Sequence, residues 1–268
     1  MKATLITFCG VEYDLPLLVH FIKHYRRLGI IDIAIILQSS IDGPHLSEAI
    51  AICYDHGIEP YELWIGEYTS QEMYERRMGA IQDLNPDWVI HADIDEFHEY
   101  PSSIMRLITS KKYNAIQGVF VDRVSSDGSI IHIDSEKDIQ EQFPIKCNFM
   151  KKWYYGQYSP PTGTVKMMAY RPHLNVSRGG HAVDGGGVIY SMGYDLSACL
   201  DIKTSERKRS TPYKIHHFKW HGNILDKLKN RIKVYKKHGY AWWETSQNTI
   251  NYFERNDGVI NTDELEKI

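Results

Sequence analysis

The stretch Trp88-Val89-Ile90-His91-Ala92-Asp93-Ile94-Asp95-Glu96-Phe97 decides how the rest of the chain is read. Five mostly apolar residues lead into Asp-x-Asp, a third acid and an aromatic. Trp88–Ala92 reads as a buried strand, with Asp93 and Asp95 at its exit. Side chains two apart on an extended backbone point the same way. Both carboxylates are therefore expected to converge at the strand's carboxyl end, where open α/β sheets bind ligands. At roughly 6 Å and an effective dielectric of about 20, two such charges repel by about 3 kcal/mol. A divalent cation removes that repulsion. Oxygen ligands suit Mg²⁺ or Mn²⁺, and Mg²⁺ commonly takes one or two carboxylates together with substrate phosphates. The pattern predicts a metal–diphosphate site.

Upstream, residues 1–121 alternate between strand and helix. Ala3–Phe8 is a β-rich run. Asp14 is a candidate helix cap with Pro16 in the first turn, and Leu18, Phe21, Ile22, Tyr25 and Leu28 recur at helical spacing until Gly29 closes the helix. Ile33–Gln38 is a continuous apolar strand of the buried parallel kind. A turn at Asp42-Gly43-Pro44 opens a helix to about His56, Tyr61–Ile65 is a third strand, and Ser70–Leu84 a helix with Ser70 as its cap. Asn85-Pro86-Asp87 breaks that helix before the acidic strand, and Ala115–Val121 follows as the next strand. This rhythm predicts an α/β fold, a mostly parallel sheet flanked by helices.

Downstream of residue 122 the pattern loosens. Turns are expected at Ser125–Ser129 and Tyr158–Gly163, with glycine-rich backbone at Gly179-Gly180 and Gly185-Gly186-Gly187. Short strands are expected at Val165–Ala169, Val188–Met192 and Ile215–Phe218. A last helix carries the stripe Leu225, Leu228, Ile232, Tyr235 and ends at Gly239. No linker is evident, so one domain is expected over residues 1–268, with an elaborated second half.

The bulk numbers agree with a globular chain. Of 268 residues, 43% are apolar and 24% charged, enough for a real core. A net charge of −3 gives no global pull toward nucleic acid. Cys9, Cys53, Cys147 and Cys199 are far apart, with no zinc spacing, and reduced buried thiols in a cytoplasmic protein are expected. No apolar run approaches the ~20 residues that span a bilayer. Lys227, Lys229, Arg231, Lys233, Lys236 and Lys237 make the last helix basic. A solvated face is the default for such a helix; peripheral contact with anionic lipid or a charged glycan is the alternative.

With the acids on the fourth strand of an N-terminal α/β unit, the chain resembles glycosyltransferases of the GT-A fold, and most of all the family-2-like bacterial group with the motif Asp-x-Asp-Glu-Phe. Trp88–Phe97 is similar to the metal motif. His20-Phe21-Ile22-Lys23-His24-Tyr25-Arg26-Arg27-Leu28-Gly29 resembles an early helix segment, Phe120–Val124 the strand after the motif, and Ile215-His216-His217-Phe218-Lys219-Trp220 a late histidine motif. The group's first strand often ends in Lys-Asn-Glu; here it runs Phe8-Cys9-Gly10-Val11-Glu12, which leaves Glu12 as the counterpart. The resemblance implies a hexosyltransferase-type enzyme that moves a sugar from a nucleotide-sugar, by analogy a UDP-sugar, to a glycan, glycolipid or other hydroxyl acceptor, with inversion the common outcome and surface polysaccharide a typical product. It places the nucleotide half at residues 1–121 and the acceptor half at 122–268. It implies that Asp93 faces the donor's ribose or sugar while Asp95 holds Mn²⁺ or Mg²⁺. His216 and His217 face opposite sides of a strand, and His217 is the implied late metal ligand. Phe8 and Glu12 at the first strand's end, Gln38 and Asp42 after the second, and Arg77 on the helix before the acids are the implied nucleotide contacts.

Two further candidates come from the glycine-rich stretch 179–187. Glycines let a loop approach a ligand closely. Asp184 could deprotonate an acceptor hydroxyl, and His181 could contact acceptor or phosphates; a turn in which Asp184 bonds its own backbone is the alternative. Two rival functions remain. A phosphohydrolase of the haloacid dehalogenase kind also uses Asp-x-Asp, but usually on the first strand and followed by Thr or Val where this chain has Phe97. A non-catalytic nucleotide- or glycan-binding protein on a degraded transferase scaffold is the other. Neither a P-loop nor a GxGxxG motif is present.

Overall fold

The structure, a computed structural model, describes residues 1–41, 43–109, 114–150, 165–181, 183–184 and 213–265. Strand β1 (Ala3–Gly10) is buried along its whole length. It pairs in parallel with β2 (Asp32–Ser39) on one side and β4 (Trp88–His91) on the other, and β2 pairs in parallel with β3 (Glu62–Ile65). Buried parallel strands read as mostly apolar runs, as β1, β2 and β4 do; β3, at the sheet edge, leaves Leu63 and Ile65 half exposed.

Helix α1 (Val11–Arg27) follows β1 without a loop. Its stripe Val11, Leu15, Leu18, Phe21, Ile22 and Tyr25 packs into the main core, and Gly29 at φ +85° closes it. Asp14 is not the cap: the helix starts at Val11 with Gly10 before it, which leaves Glu12 and Asp14 in the first turn, at the positive end of the helix dipole. Helix α2 (Pro44–Asp55) starts on its proline, as proline's missing N–H allows. Helix α3 (Ser70–Leu84) is capped by Thr69, whose hydroxyl accepts from the Glu72 N–H at 3.2 Å, one residue earlier than the expected Ser70. Asn85 ends α3 in the left-handed region at φ +43°.

Strand β5 (Glu96–Glu99), helix α4 (Ile104–Thr109), strand β6 (Ala115–Val124), helix α5 (Ile139–Gln142), strands β7 (Ile145–Cys147), β8 (Val165–Tyr170), β9 (Asn175–Val176), β10 (Val183–Asp184) and β11 (Lys214–His217), and helices α6 (Ile224–Lys237) and α7 (Trp243–Arg255) complete the described elements. The main sheet has nine strands in the order β3-β2-β1-β4-β8-β6-β11-β5, with β7 beside β6. Strands β1, β2, β3, β4, β6 and β11 run one way; β8, β5 and β7 run against them. The fold is α/β, a mostly parallel sheet flanked by helices, as expected. The expected strand at Val188–Met192 and the cysteine Cys199 lie outside the described residues. Cys9, Cys53 and Cys147 are buried free thiols.

One expectation changes in a way that matters for the site. The acids do not continue β4 as an extended strand. β4 stops at His91, and residues 92–95 turn, with the Glu96 N–H donating to the Asp93 carbonyl at 2.9 Å. The chain then joins β5, on the far side of β8, β6 and β11. The acidic turn therefore strides across the ends of these strands and meets the side chains they present. Among the described residues, no helix is long and apolar enough to cross a membrane.

Candidate active site

One oxygen from each of Asp93, Asp95 and Glu96 lies within 4.8 Å of the others. Asp93 is about one-third exposed, whereas Asp95 and Glu96 are buried. Both Glu96 oxygens are already engaged: Oε2 accepts from the Asp93 N–H at 3.0 Å, and Oε1 from Lys166 Nζ at 2.8 Å. Glu96 thus braces the turn. Lys166, the only charged residue of the buried strand β8, also donates to Asp93 Oδ2 at 2.7 Å. Asp95 is fixed through its backbone, with the Phe218 N–H donating to its carbonyl at 2.8 Å, and its Oδ2 stands 3.6 Å from His217 Nε2 and 3.7 Å from Lys227 Nζ. Lys227, reaching in from α6, holds both oxygens of Asp14 at 2.7 and 2.8 Å.

Burial sets the electrostatics of this cluster. It disfavours charge on Asp95, but Lys227 and His217 beside it hold the carboxyl well below the usual range. Burial also works against charge on Asp93, where Lys166 prevails and the carboxyl is lowered. Glu96 goes the other way: burial and then the Asp93 carboxylate push it up to about 7. Burial opposes charge on His217, yet Asp95 and Asp122 raise it to about 9. The Lys166 ammonium loses water on burial and is still raised by Asp93 and Glu96. Asp14, Asp93, Asp95, Glu96 and Asp122 meet the ammonium groups of Lys166 and Lys227, the imidazole of His217 and, 3.8 Å from Asp14, that of His221.

A cleft of about 340 Å³ adjoins the cluster at the carboxyl ends of β1, β2 and β3. Glu12, Gln38, Tyr68, Lys227 and Arg231 line it, with Gly10 as part of its floor. Glu12 Oε1 accepts from the Ser39 hydroxyl and from the Ser40 N–H and hydroxyl, contacts that hold its pKa down against the effect of burial. Gln38 donates its amide to the Gly66 carbonyl at 2.6 Å, and a Cβ on Gly10 would stand 3.4 Å from its Oε1. Phe8 sits below, buried with Ile36 and Trp64, and the Trp64 ring stacks on Tyr68 at 5.6 Å.

The remaining candidates spread out. His217 joins the acids, while His216 turns to Glu99 on the other face of the strand at 2.7 Å. Arg77 is buried; its two terminal nitrogens bond His91 Nε2 at 2.7 Å and the carbonyls of Ser177 and Arg178 at 3.2 Å, while its Nε has no partner among the described residues. Its charge still helps lower Asp93. His181 bonds the Val165 carbonyl through Nδ1 at 2.7 Å and lies 6.1 Å from the Phe120 ring. Burial, with Lys166 nearby, depresses it to about 4, which keeps it neutral. Asp184 lies in β10 paired with Asn175, and its side chain is outside the described part, as is Asp42. Sequence reasoning missed Asp14, Asp122, Lys166 and Lys227 as members of the cluster.

No family model matches the chain, and no curated relative matches it. Among solved structures, it is similar to a Bacillus anthracis protein described as a glucose-1-phosphate thymidylyltransferase, in complex with a sucrose (14% identity, 51% of this chain and 62% of that one, TM-score 0.33). It is also similar to S. aureus TarS 1–349 (7% identity, 87% and 64%, TM-score 0.37). A third is glucosyl-3-phosphoglycerate synthase from Mycobacterium tuberculosis, in complex with Mg²⁺ and uridine diphosphate (11% identity, 89% and 80%, TM-score 0.37). The chain spans less than two-thirds of the first two. With every TM-score below 0.5, the reading of the site rests on its own geometry.

Proposed function

We propose that this chain is a metal-dependent glycosyltransferase that moves a sugar from a nucleotide-sugar, with UDP as the nucleotide, to a hydroxyl of a glycan or glycolipid acceptor. The observation that carries the reading is the convergence of Asp93 and Asp95 next to Lys227, which lines a cleft at the strand ends and stands 3.7 Å from Asp95. Glu96 is consumed in bracing the turn, so Asp93 and Asp95 are the acids left to act. Carboxylates with one imidazole make a donor set for Mn²⁺ or Mg²⁺, with Asp95, His217 and Asp93 as the holders. Bound there, the ion would act as a Lewis acid on the diphosphate.

The chain's own residues divide the remaining work. Lys227 lines the cleft next to Asp95, where its ammonium can face a phosphate oxygen. Glu12, preset by Ser39 and Ser40, is an acceptor for ribose hydroxyls, and Asp93 faces the ribose or the sugar. The Gln38 amide is anchored at Gly66, which leaves its oxygen as an acceptor for the N3–H of uracil; cytosine offers no proton at that nitrogen. Asp184 is the proposed base for the acceptor hydroxyl, and the neutral His181 a proposed contact to acceptor or phosphate. The basic face of α6 is the proposed contact with an anionic membrane or glycan.

A second reading has one observation in its favour. Lys166 and Lys227 already neutralise part of the acidic cluster, as a non-catalytic nucleotide- or glycan-binding protein on this scaffold would need. A melting panel of UDP, GDP and CDP with and without Mn²⁺, followed by UDP-sugar hydrolysis, separates the two. A ligand of the native state must raise its melting temperature. UDP with Mn²⁺ is expected to do so, and slow hydrolysis is expected to disappear in Asp95→Asn. No shift with any nucleotide would overturn the transferase and the nucleotide-binding protein alike; a shift without hydrolysis would favour the binding protein.

A further inference from the structure

Strand β6 pairs with β11 in parallel, in a register that sets Asp122 beside His217. Asp122 is 2% exposed, and its carboxylate meets three groups from two separate segments. Oδ1 accepts from the Trp220 indole N–H at 2.9 Å and faces His217 Nδ1 at 3.2 Å; Oδ2 accepts from the Met150 backbone N–H at 2.6 Å. A carboxylate tied at both oxygens cannot swing away. The Phe120 ring, two residues back on the same face of β6, flanks the imidazole at 5.1 Å. The other ring nitrogen, Nε2, is directed at Asp95.

We infer that Asp122 is a positioning residue for the metal centre: it keeps the proton of the neutral His217 ring on Nδ1, so that the Nε2 lone pair faces the ion held by Asp95. This rests on the metal-dependent reading above and deepens it. A neutral imidazole carries one proton, and the hydrogen bond made by one nitrogen decides what the other presents. With no acceptor at position 122, the ring can place that proton on Nε2 and present an N–H where a lone pair is needed. Carboxylates that orient ligating histidines in this way typically govern metal affinity by 10–100-fold.

Asp122→Asn keeps the size of the side chain but has a single oxygen, which cannot serve Met150 together with the Trp220 and His217 pair. Uptake of Mn²⁺ in the presence of UDP, followed by electron paramagnetic resonance, is expected to weaken about 10–100-fold in Asp122→Asn. His217→Gln should weaken it at least as much, and the double variant should be no weaker than His217→Gln. If Asp122 only supported the fold, its substitution would weaken Mn²⁺ uptake equally in both backgrounds, and the inference would fall. Wild-type protein that takes up no Mn²⁺ would instead sink the metal-dependent reading beneath it. Should Asp122→Asn not fold, nitrogen-15 spectra of the wild-type histidine rings with Mg²⁺ and UDP bound decide: a His217 ring with a proton on Nδ1 and none on Nε2 supports the inference, and a proton on Nε2 overturns it.

Discussion

The acids of the site come from the first 122 residues, and the cations paired with them come from residues beyond 165. Asp14, Asp93, Asp95, Glu96 and Asp122 belong to the first group; Lys166, His217 and Lys227 belong to the second. The first half alone would gather like charges at the end of a buried sheet, where repulsion is poorly screened. The second half inserts β8 and β11 into the same sheet and lays α6 over the cleft, which brings a partner to each exposed flank of the acidic turn. The contrast teaches that this centre exists only once the chain has closed on itself.

The sharpest way to break this picture is at Asp95, the acid that both His217 and Lys227 approach. Asp95→Asn keeps the shape and removes the charge. UDP-sugar hydrolysis in the presence of Mn²⁺ is expected to fall about 10³-fold, or about 4 kcal/mol of barrier, as loss of a metal anchor should. Rates measured beside a melting curve separate lost chemistry from lost folding. Undiminished hydrolysis would move the chemistry away from the acidic turn altogether.

Lys166→Met tests whether the early acids need the later cations. The substitution leaves Asp93 and Glu96 without their buried ammonium, and breaking a buried pair from one side costs about 3–5 kcal/mol. Chemical denaturation should register that loss. Added Mn²⁺ should then raise the melting temperature of Lys166→Met more than that of the wild type, because the ion meets less competition. Equal stability with and without Lys166 would show that the acids tolerate one another unaided.

How far this division could be read from sequence depends on distance along the chain. Strands β1, β2 and β4 were legible because parallel strands buried on both faces are plain apolar runs, and α1 because its stripe repeats at helical spacing. The acids were legible because they are neighbours. Their geometry was not: the expected extended strand is a turn, and only the turn lets Glu96 brace Asp93. Asp14 passed for a helix cap because its true partner, Lys227, lies 213 residues on. Lys227 looked like one of six basic residues on a solvated face. Lys166 did leave a signal, a lone charge inside Val165-Lys166-Met167-Met168-Ala169-Tyr170, since a buried strand seldom carries an ammonium without a paired acid. The Thr69 cap was missed by one residue because Thr69 and Ser70 are both good capping types.

A smaller effect is expected from pH. His217 is raised to about 9 in the folded protein, against an ordinary value near 6.5. A base whose pKa is raised by folding stabilises fully below its unfolded pKa and loses that contribution as pH climbs through the folded one. In metal-free protein, stability from His217 should therefore decline between about pH 6.5 and 9, by at most about 1.4 kcal/mol per pH unit. Comparing wild type with His217→Gln by denaturation across that window isolates this slope from other titrations. A wild-type curve parallel to that of the variant would mean that Asp95 and Asp122 do not hold a charged imidazole between them.

The smallest effect sharpens the contrast by repeating it on the surface. Lys237 of α6 reaches Glu67 at 2.8 Å, again a late cation on an early acid. Here the side chains are 61% and 43% exposed, whereas Lys166 and Glu96 are 1% and 3% exposed. Water and salt screen the exposed pair and also solvate each partner when the other is removed. Lys237→Ala is therefore expected to leave the melting temperature unchanged at physiological salt, while Lys166→Met, the same loss of one positive charge, lowers it sharply. Should both substitutions cost alike, burial would not be what makes the inner pairs matter, and the site would owe its cohesion to net charge across the α6 interface.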